Sequence, residues 1–499
     1  PIPAQNSQTQ PKKADDDLLK SLEDFDPTSW FLGVLWSNKW IALVCLLFII
    51  LVFYGIWKVM FSERMAADKE VMGRTADDSE LKQWEYQDAS GMFLLGENYP
   101  IEKYSTNRIR VGIPYSKRAQ HIYVEAGTGS LKTNTMLIPQ LIDDAKSKLV
   151  NSITLDRKGH DQFDKTAKIW KDEGHSVFYL NPWDLSATMG FEPLYGATDG
   201  EIRALVEGHI VISPDPRDNS SFYRQQEQLV LTAVFKSLQE AGKCHGPAGS
   251  PYCRYKTFDE FTETEKTLPF HKRCLCRRHL CTLPAAADIV CRGFYVIRAL
   301  VQTYPEIFQY CTPLLPGKPS AQTEGMLNGL STKMSFYSKP GPRETFARSD
   351  FWLKEITDPV LIKNPKSAIL YIDAPAEQGR DATVFASVMS QLIYYRVNMR
   401  RQRMKQQGCT EEMVKHLCLR YDEIGTFTIP DINTQLATIR DTNTGCVLLL
   451  QDENQFDQFY QKGIRQTILT NSLVKVYTGT IQPERAKIIS ESLGNKIVS

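Results

Sequence analysis

Residues 126–133 read Ala-Gly-Thr-Gly-Ser-Leu-Lys-Thr, close to the form G-x-x-x-x-G-K-[ST] of a loop that cradles phosphate between a strand and a helix. Lys132 supplies an ammonium for the β- and γ-phosphates, and Thr133 a hydroxyl for Mg2+. Gly127, Thr128, Gly129 and Ser130 supply the backbone N–H groups that would line the phosphates. Ala126 replaces the first glycine of the form, a mild change. Leu131 replaces the last, where glycine lets the backbone approach phosphate closely. The loop is therefore either a working nucleotide site or the relic of one. A second group of residues lies at Leu417–Glu423, an apolar run broken by Arg420 and ending in Asp422-Glu423. An acid at the end of a buried strand can hold Mg2+ through water, and a following Glu can polarise the attacking water. Alone, the pair reads equally as surface acids; a lysine-bearing loop upstream gives it weight. Gln451 ends the next strand, where it senses a γ-phosphate or merely caps the strand. Asp156 with Lys158-Gly159 is another strand-end cluster, or a simple turn.

These residues need a β/α frame, and the pattern supplies one. His121–Val124, Ser152–Asp156, Ser176–Leu180, Ser367–Asp373, Leu417–Asp422, Cys446–Gln451 and Leu473–Tyr477 read as strands. Helical stretches between them predict parallel pairing with crossovers. Asn134–Ile138 starts a helix that Pro139 is expected to interrupt. Gln225–Ala241, Ala285–Tyr304 and Ala382–Gln406 read as helices. Arg396, Arg400, Arg401, Arg403 and Lys405 give the last of these a basic face, either solvated or lining a channel for an anionic partner. The expected organisation is a polar tail over 1–27, a membrane anchor over 28–61 and a juxtamembrane linker over 62–106. A nucleotide-binding domain follows over 107–221, with a mainly α insertion over 222–330 and the second part of the domain over 331–499.

The chain has 499 residues, 42% hydrophobic and 23% charged, which predicts folded domains rather than wholesale disorder. A formal net charge of +1 argues against a protein whose main task is to coat nucleic acid. Ile41–Trp57 is an unbroken uncharged run, extending to Phe61 if Lys58 snorkels. With Trp40 it approaches the roughly 20 residues a spanning helix needs. Trp36, Trp40, Tyr54 and Trp57 sit near its ends, where interfacial aromatics belong. Lys58, Arg64, Lys69 and Arg74 follow the run and place the bulk of the chain in the cytoplasm by the positive-inside rule. Thr28–Leu35 is apolar but too short to cross alone, and belongs to the interface or to a second span.

Eleven cysteines in a chain this long are not a disulfide scaffold. Cys244, His245, Cys253, His271, Cys274, Cys276, His279 and Cys281 nevertheless crowd one segment of the insertion. Cys274, Cys276, His279 and Cys281 offer Zn2+ the ligand types it takes, without the usual paired C-x-x-C spacing. Free thiols in a core or a solvated loop are the alternatives.

Taken together, the motifs resemble the TraG/TraD-type coupling proteins of type IV secretion and conjugation, within the FtsK/HerA-like P-loop ATPases. Ala126–Thr133 with Leu137-Ile138-Pro139 is similar to that family's A-P-T-G-S-G-K-T and downstream I-P. Asp156–His160 is similar to its D-x-K-G-E, with His160 in the place of Glu. Asn181-Pro182, Phe191–Leu194, Ser349–Phe351, Asp422-Glu423 with Gly425 and Ile429-Pro430, Gln451, Ile468–Asn471 and Ser490–Gly494 keep the family's order. The Dot/Icm type IVB branch, with its DotL-like members, is one placement within it. The resemblance spans residues 108–499. It implies an α/β, RecA-like P-loop NTPase with a mainly parallel sheet, an inserted all-α domain and an N-terminal transmembrane helix or two. It implies ATP and Mg2+ as cofactors, the bacterial inner membrane as location, and a hexamer. It implies type IV secretion subunits and adaptor proteins as partners, with protein effectors or relaxase-bound DNA as cargo. Lys132, Thr133 and Asp422 would hold Mg2+–ATP, and Glu423 would activate water. Arg465 and Arg485 are candidates to reach a neighbouring subunit's γ-phosphate. Leu131 and His160 depart from the family and open a second reading, a docking scaffold with weak or no turnover. A third reading is an FtsK-like DNA translocase, against which the near-neutral charge speaks.

Overall fold

The computed structural model describes residues 47, 50–52, 54, 81–97, 108–127, 133–212, 220–242, 280–451, 456, 459–460, 463–478 and 487. The chain divides into two compact units, one of Pro1–Thr75 with Pro483–Ser499 and one of Ala76–Gln482. In the first, Leu47, Ile50, Leu51, Val52 and Tyr54 are helical and exposed. Most of the expected span over 41–61 lies outside the described residues, and no helix among the described residues is long and apolar enough to cross a membrane.

The second unit is built on strands. β1 (Phe93–Glu97) and β2 (Arg110–Ile113) form a small antiparallel ribbon. The main sheet has seven strands: β3 (Ile122–Ala126), β4 (Val150–Asp156), β5 (Ser176–Leu180), β6 (Ala368–Asp373), β7 (His416–Tyr421), β8 (Thr444–Leu450) and β9 (Val474–Thr478). Their order is β5-β6-β4-β7-β8-β3-β9, and every neighbouring pair is parallel. Every residue of β4, β6, β7 and β8 is buried, because helices cover both faces of a parallel sheet. That burial explains the apolar character of β6 and β8, while β4 and β7 bury polar residues as well.

Pro139 does not interrupt a helix. Thr133–Leu137 forms a π-helical turn, and helix α1 (Ile138–Ser147) starts after it with Pro139 in its first turn. There a missing N–H breaks no hydrogen bond. Helix α2 (Asp161–Asp172) joins α1 over one sheet face, where Leu141, Ala145, Ala167 and Trp170 pack on Ile369 and Tyr371. Helix α3 (Asp199–His209) begins with a capping box between Thr198 and Glu201.

The α insertion contains α4 (Ser220–Gly242), α5 (Leu283–Cys291), α6 (Phe294–Gln302) and α7 (Ala321–Met334). The expected helix over 285–304 is divided, because Gly293 adopts φ +81° between α5 and α6. Val230, Val234, Leu238 and Leu327 of the insertion share one apolar cluster with Leu155, Leu370 and Leu419 of the sheet.

Helix α8 (Gly379–Gln406) packs along α3 so closely that a Cβ at Gly208 would lie 2.6 Å from the Val388 Cα. Its basic residues divide between core and surface: Arg396 and Arg400 are buried, and Arg401 and Lys405 are exposed. Arg396 pairs with Glu201 at 2.9 Å and Asp358 at 3.1 Å, Arg403 with Asp358, and Arg401 with Asp441. Arg400 is fully buried and donates to the carbonyls of Thr357, Asp358, Lys415 and Thr442 at 2.7–2.9 Å.

Two buried histidines each give the fold a contribution that acid removes. His121 Nδ1 accepts from the Cys446 N–H and its Nε2 donates to the Leu436 carbonyl. His209 is held between the Leu205 carbonyl and the Tyr337 hydroxyl. Burial pulls each down to about 4. An unfolded imidazole titrates near 6.5, so the unfolded chain takes up these protons first as pH falls. The stability held by these neutral rings is complete above about pH 6.5 and declines by roughly 1.4 kcal/mol per pH unit for each ring until about pH 4. Asp156 and Glu192, which burial pushes up to about 7 and about 8, act with the opposite sign over this window, so the test is differential: between pH 7.5 and 5.0 His209→Gln should lose less Tm than the wild type.

Candidate nucleotide site

Three strands deliver a carboxylate to the same end of the sheet. Asp156 and Asp373 close β4 and β6 in register with each other. Asp422 follows β7 and extends its ladder, its N–H bonding the Leu155 carbonyl at 3.0 Å. Alternation along a strand puts Asp156 on the face of Ser152, Asp373 on that of Tyr371, and Asp422 on that of Arg420. Arg420 bonds the Ser152 hydroxyl at 2.8 Å, and Tyr371 packs under α1 and α2. All three acids therefore belong to the face that α1 covers. None is more than 1% exposed. Burial, then the charges of Asp422 and Asp373, push Asp156 up to about 7. One oxygen of Asp156 accepts from the Lys158 N–H at 2.8 Å, and the other is buried without a hydrogen-bond partner. Asp373 is better served: it accepts from the Tyr179 hydroxyl at 2.7 Å and the His160 N–H at 2.9 Å, while burial pushes it up.

Glu423 turns away from β7 in a left-handed conformation, φ +56° and ψ +50°. Its Oε1 accepts from Gln451 Nε2 and lies 3.6 Å from Lys158 Nζ. Gln451 directly follows β8, which sets it beside Glu423. The turn after β4 is tied to the turn after β7 through Arg157. Its Nε donates to Thr426 Oγ1 at 3.1 Å and its NH1 to the Ala374 carbonyl at 2.7 Å.

Of the phosphate loop, β3 and Gly127 are described, while Thr128, Gly129, Ser130, Leu131 and Lys132 lie outside the described residues. Thr133 is 6% exposed, and its Oγ1 has no hydrogen-bond partner. The loop strand and the acid strand are not adjacent: β8 lies between β3 and β7, parallel to both. That insertion is what brings Gln451 between the two halves of the site.

Arg465 lies 3.4 Å from Glu125 in its own chain, and Tyr123 donates to the same Glu125 oxygen. Arg485 lies outside the described residues, as do Cys274, Cys276 and His279. Cys281 is a buried thiol that burial, then Glu192, pushes up. No group of metal ligands occurs among the described residues by the usual count of neighbouring His, Cys, Asp and Glu. The sequence reading missed Asp373 and the grip of Lys158 on Glu423. Asp373 had a signal, since Ala368–Asp373 repeats the apolar-run-then-Asp pattern of Ser152–Asp156. The Lys158 contact had none.

The profile of the family described as Type IV secretory system Conjugative DNA transfer matches residues 68–275 and 294–499. The chain belongs to that family and is a TraG/TraD-type coupling protein of type IV secretion. No curated protein matches it by sequence. Among solved structures it is similar to the bacterial conjugative coupling protein TrwBΔN70 in an unbound form, with 15% identity, TM-score 0.58, and coverage of 85% of this chain and 80% of that one. TrwB in complex with the ATP analogue ADPNP gives 16% identity, TM-score 0.57, and coverage of 85% and 83%. TrwB in complex with ADP and Mg2+ gives 15%, 0.52, 80% and 76%. At this identity the likeness establishes the shared α/β P-loop fold.

Proposed function

We propose that this protein is an ATPase that couples ATP hydrolysis to the delivery of cargo into a type IV secretion channel. The observation that carries the proposal is the row of buried carboxylates Asp156, Asp373 and Asp422 at one end of a parallel sheet, with Glu423 and Gln451 beside it. The structure of TrwB with ADP and Mg2+ supports the same chemistry on a similar fold.

The residues fit a nucleotide with Mg2+. Crowded buried carboxylates need a compensating positive charge, and the buried Thr133 hydroxyl needs a partner. Thr133 and Asp422 are the residues that would hold the ion, and Lys132 the phosphates. An ion held by these residues would supply positive charge to offset that of the transferring phosphoryl group. Glu423 accepts a proton from the attacking water, and the turns that carry Arg157 and Thr426 fix its backbone. The cytoplasmic motor would be anchored in a bacterial inner membrane by the run over 41–61. It would assemble as a hexamer and take protein effectors or relaxase-bound DNA from adaptor proteins.

Leu131 favours a second reading, a docking scaffold of low turnover. One titration addresses both readings. A fluorescent ATP analogue with Mg2+ should bind the detergent-solubilised wild type, and Leu131→Gly should tighten binding by about tenfold or more, about 1.4 kcal/mol. No saturable binding in either protein would remove the nucleotide site. Equal affinity would clear Leu131 of weakening it.

A further inference from the structure

We propose that Lys158 is a positioning residue for Glu423, fixing which carboxylate oxygen meets the attacking water. The role rests on the nucleotide-site reading above. It follows from three contacts that converge on one side chain.

Glu423 sits in left-handed backbone, uncommon for a residue with a Cβ, and its surroundings must hold it there. The Thr426 N–H and Thr426 Oγ1 both donate to the Glu423 carbonyl, at 2.9 and 2.8 Å. Thr426 Oγ1 also accepts from Arg157 Nε, so the turn bearing Lys158 is fastened to the turn bearing Glu423. Asp156 fixes the same turn by accepting the Lys158 N–H. Lys158 is thus held at its backbone, and only its side chain is left to adjust.

A carboxylate rotates easily about its last torsion, which has broad two-fold preferences. Here Gln451 Nε2 and Lys158 Nζ both address Oε1. The Glu423 side chain is 12% exposed, so the ammonium acts with less screening than in a surface pair. With Oε1 bonded by Gln451 and drawn to the Lys158 ammonium, rotation is disfavoured and Oε2 is left to take the proton from water. The ammonium touches no reacting atom in this arrangement. Its effect is geometric, and geometric errors near 1 Å cost catalysis heavily.

The test is steady-state ATP turnover by the solubilised full-length protein. Lys158→Met should lower kcat about tenfold or more and leave KM for ATP within about twofold. Lys158→Arg should restore most of kcat. In a Glu423→Gln background, Lys158→Met should cause no further loss, because the group it positions is gone. The Lys158 side chain is 39% exposed, so these variants keep the core intact, and matching melting curves confirm it. A raised KM with unchanged kcat overturns the positioning role, as does a full additional loss in the Glu423→Gln background. Wild-type turnover matched by Lys158→Met overturns the role of Lys158 alone. No turnover in the wild type overturns the ATPase reading, and the role of Lys158 with it.

Discussion

Glu423→Gln is expected to reduce ATP turnover by about 10^2- to 10^4-fold while nucleotide binding persists, the range that a positioned general base contributes. Glutamine keeps the size of the side chain and an oxygen for the Gln451 amide, so the local packing survives. It cannot accept a proton, so the chemical step fails and binding does not. Phosphate release and nucleotide titration measured on one preparation separate the two. Unchanged turnover would mean that the residue beside Asp422 is not the base, whatever the sheet geometry suggests. Loss of binding together with turnover would mean that Glu423 maintains the site rather than working in it. Removal of Mg2+ by chelation should abolish turnover in the wild type as well, since Asp422 and Thr133 are then left without the ion they are proposed to hold.

The parts of this site that could be read in the sequence are those carried by local pattern. β6 and β8 are short, mainly apolar runs followed or ended by a polar residue, and burial on both sheet faces makes such runs legible, while β4 and β7 carry polar residues within them. Asp422, Glu423 and Gln451 are legible as strand-end residues from the sequence. Strand order is a different kind of information. Nothing in Thr444–Leu450 states that it inserts between the loop strand and the acid strand, because parallel order is set by crossover geometry and not by composition. Two of the α8 arginines, Arg396 and Arg400, are buried for a reason equally hidden from the sequence. Their spacing is that of an ordinary charged face, but Arg400 points into a ring of four carbonyls contributed by distant loops. A guanidinium can satisfy such a ring without any carboxylate, and charge pattern alone does not reveal it. Pro139 was misread because the π-helical turn at Thr133–Leu137 shifts the start of α1 to meet it.

Arg420 looked like a defect in an acid-bearing strand, and its explanation yields the largest expected effect on stability. Asp144 on α1 is fully buried between two guanidinium groups. Arg118 meets it with two bonds of 2.6 and 3.0 Å, and Arg420 meets its second oxygen. Burial pushes the Asp144 carboxyl up, but the two arginines outweigh it and hold the group below the usual carboxylate range. Arg118 further bonds the Gly91 carbonyl, and Arg420 the Ser152 hydroxyl. Asp144→Asn leaves two buried cations without a countercharge, which should cost about 3–5 kcal/mol. A melting-temperature loss of several degrees at pH 7 is the expected reading, and a loss within error would mean the network carries no net stability. The same carboxylate gives an acid limb of known sign. An Asp whose folded pKa is depressed contributes stability above its unfolded value near 4 and loses it as pH falls through the folded value. That limb therefore lies below the one set by His121 and His209, and Asp144→Asn should remove it while leaving the histidine limb in place. The effect also reaches the site, because Asp144 lies on the helix that follows Thr133 and Arg420 lies two residues before Asp422. The buried triad fastens the phosphate-loop helix to the acid-bearing strand, so nucleotide affinity should fall in Asp144→Asn even at temperatures where the protein remains folded.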